Sequence, residues 1–445
     1  MATELTVSRQ VSLEHLNQWR QSFAQEPLRQ IVSNAVVKNG INSVAQRRAR
    51  VTQMTFAFSH EISTGTITNQ KASGRCWLFA GLNLVREGMG RALKLKDFEL
   101  SQAYLMFYDK LEKANYFLES ILESRDEPVD GRLVSWLLTA PMQDGGQWDM
   151  FVNLVEKYGI VPKWVMPESF HSSDSRLMNR ILTTKLREDA KRLRDAGTGE
   201  EARDLKNTMM ADIYQLLVEF LGEPTGRFDF EYQADDRQFH GDRGVSPVDF
   251  WHRYGGMNLD DYVSVINAPT SDKPFGRMYT VDFLGNVVGG RPVLYLNLDN
   301  GRFKELAVRQ LTDGRPVWFG CDVGPMSDRA TGILDTDQFD YAGTLGVEFG
   351  LTKADRLMYG ESQMTHAMVM AGVNLVDGVP NRWKVENSWG KDAGNDGFFV
   401  MSDQWFDQYM YQLVVDKRYL TDEERAILDM EPTRLAPWDP MGSLA

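Results

Sequence analysis

Cys76 is one of only two cysteines in this 445-residue chain, and its surroundings make it a candidate nucleophile. A helix beginning at Cys76 is predicted from apolar residues at helical spacing, namely Leu78, Leu82, Val85 and Met89. The unpaired N–H groups and the macrodipole at a helix N-terminus favour a thiolate over a thiol. Gln70, six residues earlier, carries an amide that can donate to an oxyanion. Most free cysteines are small buried hydrophobes, so this assignment also needs a base.

His366 is the best candidate base among the six histidines. It lies in an apolar run of strand length, and Asn387 follows twenty-one residues later in an Asn-Ser-Trp-Gly motif. An Asn carbonyl can fix the tautomer of an imidazole without adding a negative charge, and Trp389 can cover that hydrogen bond. Alone, such a histidine is usually a core residue and such a motif a turn. Together with Gln70 and Cys76, they predict nucleophilic catalysis through a thioester.

The order of these motifs resembles that of the papain-like cysteine peptidases. The matching residues are Gln70, Cys76-Trp77, His366-Ala367 and Asn387-Ser388-Trp389-Gly390. Residues 144–162 are similar to the family's Gly-Gly cleft segment and the helix that follows it, and residues 394–400 to its Gly-rich turn and strand. In that family, the backbone of the cleft segment pairs with an extended substrate, as in strand addition. The resemblance implies substrate-binding roles for Gly145, Gly146, Trp148 and Trp389.

Two departures from the papain pattern narrow the resemblance. Ser73 stands where the family has half of a disulfide, and Arg75 places a cation beside the nucleophile. Cys76 and His366 are 290 positions apart, against about 130–150 in the family, so the interval holds extra structure. Both departures match the bleomycin hydrolase and bacterial aminopeptidase C group. The tail at 437–445 also resembles that group, so the similarity spans the chain.

This resemblance implies a cysteine aminopeptidase that releases N-terminal residues from peptides, with bleomycin hydrolase-like amide hydrolysis. Cys76 and His366 are expected to rest as thiolate and imidazolium, by analogy with papain. Gln70 and the Cys76 N–H are expected to stabilise the oxyanion. In the group, a C-terminal arm lies in the cleft, so the carboxylate of Ala445 is expected to pair with the free α-amine of the substrate. The group also implies a ring-like homohexamer.

Two alternatives remain open at this stage: an inactive papain fold used as a binding or scaffold protein, and acyl transfer or deamidation by the same residues. No cofactor is expected. His240 and His252 lie among several aspartates, but their spacing fits no metal-ligand pattern, so no metal site is expected.

The predicted fold class is α+β, a papain-like fold with a helical half, an antiparallel β half, helical insertions and a C-terminal arm. We expect a single peptidase unit over 1–445, made of N-terminal helices and a strand (1–60), the helical half with the nucleophile (61–170), a partly helical insertion (171–278), the β half with His366 and Asn387 (279–420) and the arm (421–445). Residues 51–58 are predicted as a strand, Ser101 as a helix N-cap and residues 187–205 as a helical hairpin about Gly197-Thr198-Gly199. Further strands are predicted at 291–298, 316–320, 366–373, 382–387, 397–402 and 411–416.

Composition and charge exclude several classes of function. No apolar run approaches the ~18 residues that a membrane span requires, and the N-terminus lacks the features of a signal peptide. Two cysteines cannot form a disulfide framework without consuming the nucleophile, which favours a cytoplasmic location. A formal net charge of −13 argues against nucleic-acid binding, which depends on clusters of Lys and Arg. Peptides are therefore the expected partners.

Overall fold

The structure is a computed structural model that describes residues 10–95, 98–196 and 199–444. These residues form two compact units. The smaller unit consists of the described residues up to 55 together with 335–351, and the larger unit contains the rest.

The smaller unit is helical, and its helices are Leu13–Ala24, Pro27–Asn39, Ile41–Ala45, Arg48–Gln53 and Tyr341–Leu345. The first helix starts at Ser12, whose side chain accepts from the backbone N–H of His15, and the second starts at a proline, which fits the first turn of a helix. The strand predicted at 51–58 is wrong, because residues up to Gln53 continue a helix. Thr52 is accommodated in that helix through a hydrogen bond from its hydroxyl to the Ala49 carbonyl, at 2.8 Å.

The larger unit combines helices with an extensive sheet. Its α-helices are Cys76–Leu93, Gln102–Glu123, Arg132–Thr139, Trp148–Tyr158, Phe170–Ser173, Arg176–Asp195, Glu200–Leu221, Pro247–Tyr254, Asn300–Thr312, Lys353–Met358, Asp403–Tyr409 and Asp422–Leu428. Short 3-10 helices cover Leu259–Asp261, Lys417–Tyr419 and Pro440–Gly442. The helix predicted from Cys76 is confirmed, as is the N-cap at Ser101, which accepts from the Tyr104 N–H at 3.1 Å.

Within the described residues, twelve strands of this unit form one mostly antiparallel sheet. From one edge, the order is Thr433–Leu435, Arg277–Val281, Tyr295–Asn297, Tyr262–Ile266, Met410–Asp416, Val317–Cys321, His366–Val376, Val379–Glu386, Phe398–Ser402, Ile333–Leu334 and Ser327–Asp328, with His60–Glu61 pairing with His366–Val376. A separate hairpin joins Phe228–Gln233 to Phe239–Val245. The strands predicted in the C-terminal part are confirmed, although the one predicted at 291–298 is limited to Tyr295–Asn297.

A tight hairpin explains how the candidate base and its orienting residue come together. Strands His366–Val376 and Val379–Glu386 are joined by Asp377 and Gly378, which have φ angles of 51° and 81°. Positive φ at both central residues is the mark of a two-residue turn that matches the twist of an antiparallel pair. His366 begins the first strand and Asn387 directly follows the second, so the hairpin places both residues at the same end.

The remaining segments extend this core. Helices Arg176–Asp195 and Glu200–Leu221 pack on Gln102–Glu123 and on each other, in agreement with the predicted hairpin, although Gly197 and Thr198 lie outside the described residues. At the C-terminal end, strand Thr433–Leu435 pairs in parallel with Arg277–Val281 and leads into Pro440–Gly442.

Candidate active site

Cys76 lies against the residue that follows the candidate base. It is the first residue of helix Cys76–Leu93, and its Sγ accepts a hydrogen bond from the backbone N–H of Ala367 at 3.4 Å. Ala367 follows His366 on a central strand of the sheet. The fold therefore brings together the cysteine and the histidine strand, which the sequence separates by 290 positions.

Burial controls the protonation of both groups. It raises the pKa of Cys76 to about 11, although the backbone N–H groups of Ala367, Trp77 and Cys76 itself act to lower it. It also lowers the pKa of His366 to about 4, against the effect of the hydrogen bond with Asn387. Both shifts favour a neutral thiol and a neutral imidazole in the substrate-free protein. The direction of both shifts, which arises from burial, opposes the ion pair expected from the sequence, and the protonation state of the pair stays a prediction that a titration tests.

Asn387 fixes the orientation and the tautomer of His366. The Oδ1 of Asn387 lies 2.9 Å from Nε2 of His366 and accepts from the Ser388 N–H at 2.8 Å. Because Oδ1 can only accept, Nε2 carries the proton and Nδ1 keeps a lone pair. The ring of Trp389 packs against the imidazole, with centroids 4.9 Å apart and ring planes inclined by 32°; that it covers this hydrogen bond stays a prediction.

Gln70 is held beside the nucleophile from two sides. Its Oε1 accepts from the hydroxyl of Ser388 at 2.6 Å, and its Nε2 donates to the carbonyl of Ser73 at 2.6 Å. A side-chain amide has two N–H groups, so one of them remains for an oxyanion.

The glycine segment packs directly on the residue after the nucleophile. A Cβ at Gly146 would lie 2.6 Å from Cδ2 and Cζ2 of Trp77, so only glycine fits there without displacement. The carbonyl of Gly145 accepts from Nζ of Lys113 at 2.6 Å. Trp148 is fully buried and packs on Phe151 and on other aromatic side chains. Its side chain therefore supports the segment from within the core, and the substrate-binding role predicted for Trp148 stays a prediction.

Asp144 ties this segment to the loop that precedes Cys76. Its carboxylate accepts from the Gly74 N–H at 2.8 Å, from Nζ of Lys110 at 2.6 Å and from the hydroxyl of Ser175. Burial alone would raise the pKa of Asp144, but the charge of Lys110 and these hydrogen bonds hold it well below its usual range. The carboxylate is thus a buried anion that fixes two walls of the site relative to each other.

The C-terminal arm contacts both sides of the site. The carbonyl of Ser443 accepts from Nε2 of Gln147 at 2.6 Å, and the Ser443 hydroxyl donates to the Met364 carbonyl at 2.6 Å. Gln147 follows the glycine segment, and Met364 precedes His366 by two residues. The predicted role of Ala445 falls on a residue outside the described part of the chain.

Comparisons with known proteins agree with this geometry. The model of the Peptidase C1-like family matches residues 10–442. The chain belongs to the Peptidase C1-like family. The predicted α+β papain-like fold and the predicted enzyme class, a cysteine-type peptidase, are therefore confirmed.

Relatives within this family are similar along their whole length. Aminopeptidase C of Listeria monocytogenes is 50% identical over 446 residues, covering 100% of both chains. Aminopeptidase C of Lactococcus lactis subsp. lactis is 49% identical, covering 96% of this chain and 97% of its own. The solved structure of pepw from Lactobacillus rhamnosis has a TM-score of 0.97 and 51% identity, covering 98% of this chain and 100% of its own.

Sequence reasoning missed a buried ion pair behind Asn387, the residue predicted to orient the base. Glu386, directly before Asn387, pairs through Oε1 with Arg86 at 3.1 Å and accepts from Asn83 at 2.9 Å. Arg86 and Asn83 belong to helix Cys76–Leu93, so this pair joins the nucleophile helix to the strand that ends at the catalytic asparagine. The signal in the sequence was a carboxylate at the end of strand Val379–Glu386, directly before Asn387. Asp144 and Gln147, which flank the predicted glycines, were missed in the same way.

The described part of the chain offers neither a metal-binding cluster nor a helix that could span a membrane. Among these residues, no group of three or more His, Cys, Asp or Glu side chains is arranged to hold a metal ion. Over the same ranges, every helix is either too short or too polar to cross a membrane.

Proposed function

We propose that this Peptidase C1-like protein is a cysteine aminopeptidase that releases N-terminal residues from peptides through a thioester on Cys76. The observation that carries the proposal is the contact of the Cys76 sulfur with the histidine strand, where Asn387 orients His366. The names of the relatives, which match along their whole length, support the substrate class.

In the first half of the reaction, Nδ1 of His366 accepts the thiol proton and the sulfur of Cys76 attacks the carbonyl carbon of the substrate. The oxyanion that forms accepts hydrogen bonds from Nε2 of Gln70 and from the backbone N–H of Cys76. The imidazolium then gives its proton to the departing amine as the C–N bond breaks, which leaves an acyl group on sulfur.

In the second half, His366 accepts a proton from water, and the resulting hydroxide attacks the thioester carbon. The C–S bond breaks, the proton returns to sulfur, and the carboxylic acid product leaves. In this scheme each cycle begins and ends with a thiol and a neutral imidazole, the forms that burial favours.

The two cysteines provide a matched test of this proposal. Cys76→Ala should abolish hydrolysis of an aminoacyl amide and remove the site that iodoacetamide alkylates. Cys321→Ala should retain both, because the Cys321 sulfur takes no part in the proposed reaction and is fully buried, on the strand that pairs with His366. Hydrolysis by the Cys76→Ala protein would contradict the proposal. An inert Cys76 in an otherwise folded protein would support the alternative, an inactive binding or scaffold protein.

We propose further that the C-terminal arm restricts cleavage to free N-termini. The contacts of Ser443 with Gln147 and Met364 support an arm that occupies part of the cleft. A terminal carboxylate on Ala445 would then attract the α-ammonium group of a substrate in a partly dehydrated site. Substrates with blocked N-termini would lack that charge.

Deletion of residues 443–445 tests the role of the arm. The shortened protein should cleave N-terminally blocked peptides that the full-length protein does not cleave. Continued restriction to free N-termini after the deletion would overturn the proposed role, while leaving the assignment of Cys76 untouched.

A cytoplasmic location, bleomycin hydrolase-like amide hydrolysis and a homohexamer complete the proposal. Large apolar side chains exposed on the first two helices support self-association, namely Leu13, Trp19, Phe23, Leu28, Ile31 and Val37. Neither of these helices contains a buried residue. The mass in solution, measured by light scattering, should equal six chains, and a monomer mass would exclude the ring.

A further inference from the structure

The loop between Gln70 and the nucleophile is closed by a reciprocal pair of hydrogen bonds. Nε2 of Gln70 donates to the Ser73 carbonyl at 2.6 Å, and the Ser73 hydroxyl donates to the Gln70 carbonyl at 2.7 Å. Between them, Lys71 has a φ of 55°, a left-handed conformation that costs energy for a residue other than glycine. The position of the Gln70 amide therefore depends on what holds Ser73.

Arg75 holds the hydroxyl of Ser73. Its Nε donates to the Ser73 Oγ at 2.8 Å, and its two terminal nitrogens bind the two carboxylate oxygens of Glu168, at 3.3 and 2.9 Å. The Arg75 side chain is 1% exposed. A planar guanidinium that is bound on two sides has little freedom to rotate, so it fixes the direction from which Nε meets Ser73.

Glu168 is in turn fixed by the protein. It accepts from Nζ of Lys163 at 3.1 Å and from the hydroxyl of Ser172. Burial alone would raise the pKa of Glu168, but the charge and hydrogen bonds of Arg75 outweigh it and lower the pKa. The carboxylate therefore stays charged and pairs with the cation that the sequence places beside the nucleophile.

We propose that Arg75 and Glu168 are positioning residues for the oxyanion donor: they fix the Ser73 hydroxyl, which binds the Gln70 backbone carbonyl and so holds the loop whose Ser73 carbonyl accepts from the Gln70 amide. This inference rests on the proposed function, because it assigns Gln70 to the oxyanion of the Cys76 reaction. The Arg75–Glu168 pair holds the loop at Ser73, the position where the papain pattern has one cysteine of a disulfide. An Arg75 that acts on Gln70 in this way influences the rate of acyl transfer and leaves the reactivity of the sulfur unchanged.

The main test is a double-mutant cycle between Ser73→Ala and Gln70→Ala. Loss of the Ser73 hydroxyl should lower kcat for an aminoacyl amide about tenfold, because a displaced donor loses part of the ~100-fold effect of an oxyanion hydrogen bond. In the Gln70→Ala background, the same substitution should have no further effect. Losses that multiply in the double variant would overturn the inference.

Alkylation of Cys76 by iodoacetamide separates this role from a general structural one. Alkylation forms no oxyanion, so its rate and pH profile should be unchanged in the Ser73→Ala protein. Slower alkylation would show that the loop supports the nucleophile itself and would overturn the inference. Ser124→Ala is a matched control, because it also removes a buried hydroxyl, one that donates to the nearby Ser120 carbonyl. The kcat of this control should equal that of wild type.

Arg75→Lys provides a second variant that keeps the positive charge but loses the Nε donor and the two-point contact with Glu168. It should reproduce the fall in kcat of Ser73→Ala with an unchanged pH profile of alkylation. Full activity of Arg75→Lys, or a shift in that profile, would show that the charge acts instead of the geometry. Failure of the proposed function would appear separately, as hydrolysis by Cys76→Ala.

Discussion

Gly146→Ala is the substitution whose effect on activity follows most directly from the packing. The added Cβ would lie 2.6 Å from two carbons of the Trp77 ring, where ordinary contact begins near 3.4 Å, so one partner must move by about 1 Å. The ring is fully buried, and its Nε1 donates to the Asp144 carbonyl at 2.7 Å. Nζ of Lys113 lies 5.2 Å from the centre of the ring. The backbone at 145–147 is therefore the part that must shift.

This shift should affect both stability and catalysis. Overpacking of a rigid core contact costs about 1–3 kcal/mol of unfolding free energy. On the expectation that this backbone pairs with the substrate, its displacement by about 1 Å should reduce kcat/KM by up to about 100-fold. We expect alkylation of Cys76 to continue, because the helix and the Ala367 N–H that hold the sulfur are not part of the glycine segment.

The measurements are kcat/KM for an aminoacyl amide, the alkylation rate and the thermal unfolding midpoint. Gly88→Ala is the matched control, because Gly88 lies in helix Cys76–Leu93 and a Cβ there meets nothing within 4 Å. This control should gain about 0.5–1 kcal/mol of stability and keep its activity. A kcat/KM for Gly146→Ala within about twofold of wild type would refute the packing argument.

Three other substitutions or titrations test the rest of the site. Asn387→Ala should lower kcat by up to about 100-fold, because His366 loses its orienting acceptor. Iodoacetamide should still alkylate Cys76 in this variant. An unchanged kcat would contradict the role of Asn387. Glu386→Gln leaves Arg86 buried without its charge partner and should lower the free energy of unfolding by about 3–5 kcal/mol. The thermal unfolding midpoint should fall accordingly. A midpoint within about 1 °C of wild type would argue against a stabilising pair. Burial raises the pKa of Cys76 to about 11, so the thiolate absorbance should appear only as the pH approaches that value. The absorbance is measured as the difference from Cys76→Ala. A thiolate signal already complete near neutral pH would show that the ion pair forms at rest.

Much of the fold was accessible from local sequence patterns. The helix from Cys76, the Ser101 cap and the strands of the β half follow from apolar periodicity and capping chemistry, which depend on residues close in the chain. The strand predicted at 51–58 failed because weak alternation in a short segment does not distinguish a strand from a helix end. The short strand Tyr295–Asn297 shows the same limit, since pairing partners decide where a strand stops.

The sequence alone determined the identities and the order of Gln70, Cys76, His366 and Asn387, because the reaction requires those side-chain types. Tertiary structure decided how they are held and how deeply they are buried. The sequence placed Arg75 beside the nucleophile, and the fold pairs it with Glu168, 93 positions away. Burial, which depends on the whole fold, shifts the pKa values of Cys76 and His366 against the local effect of the helix terminus. Charge balance and dehydration arise from residues distant in the chain, so motif spacing cannot reveal them.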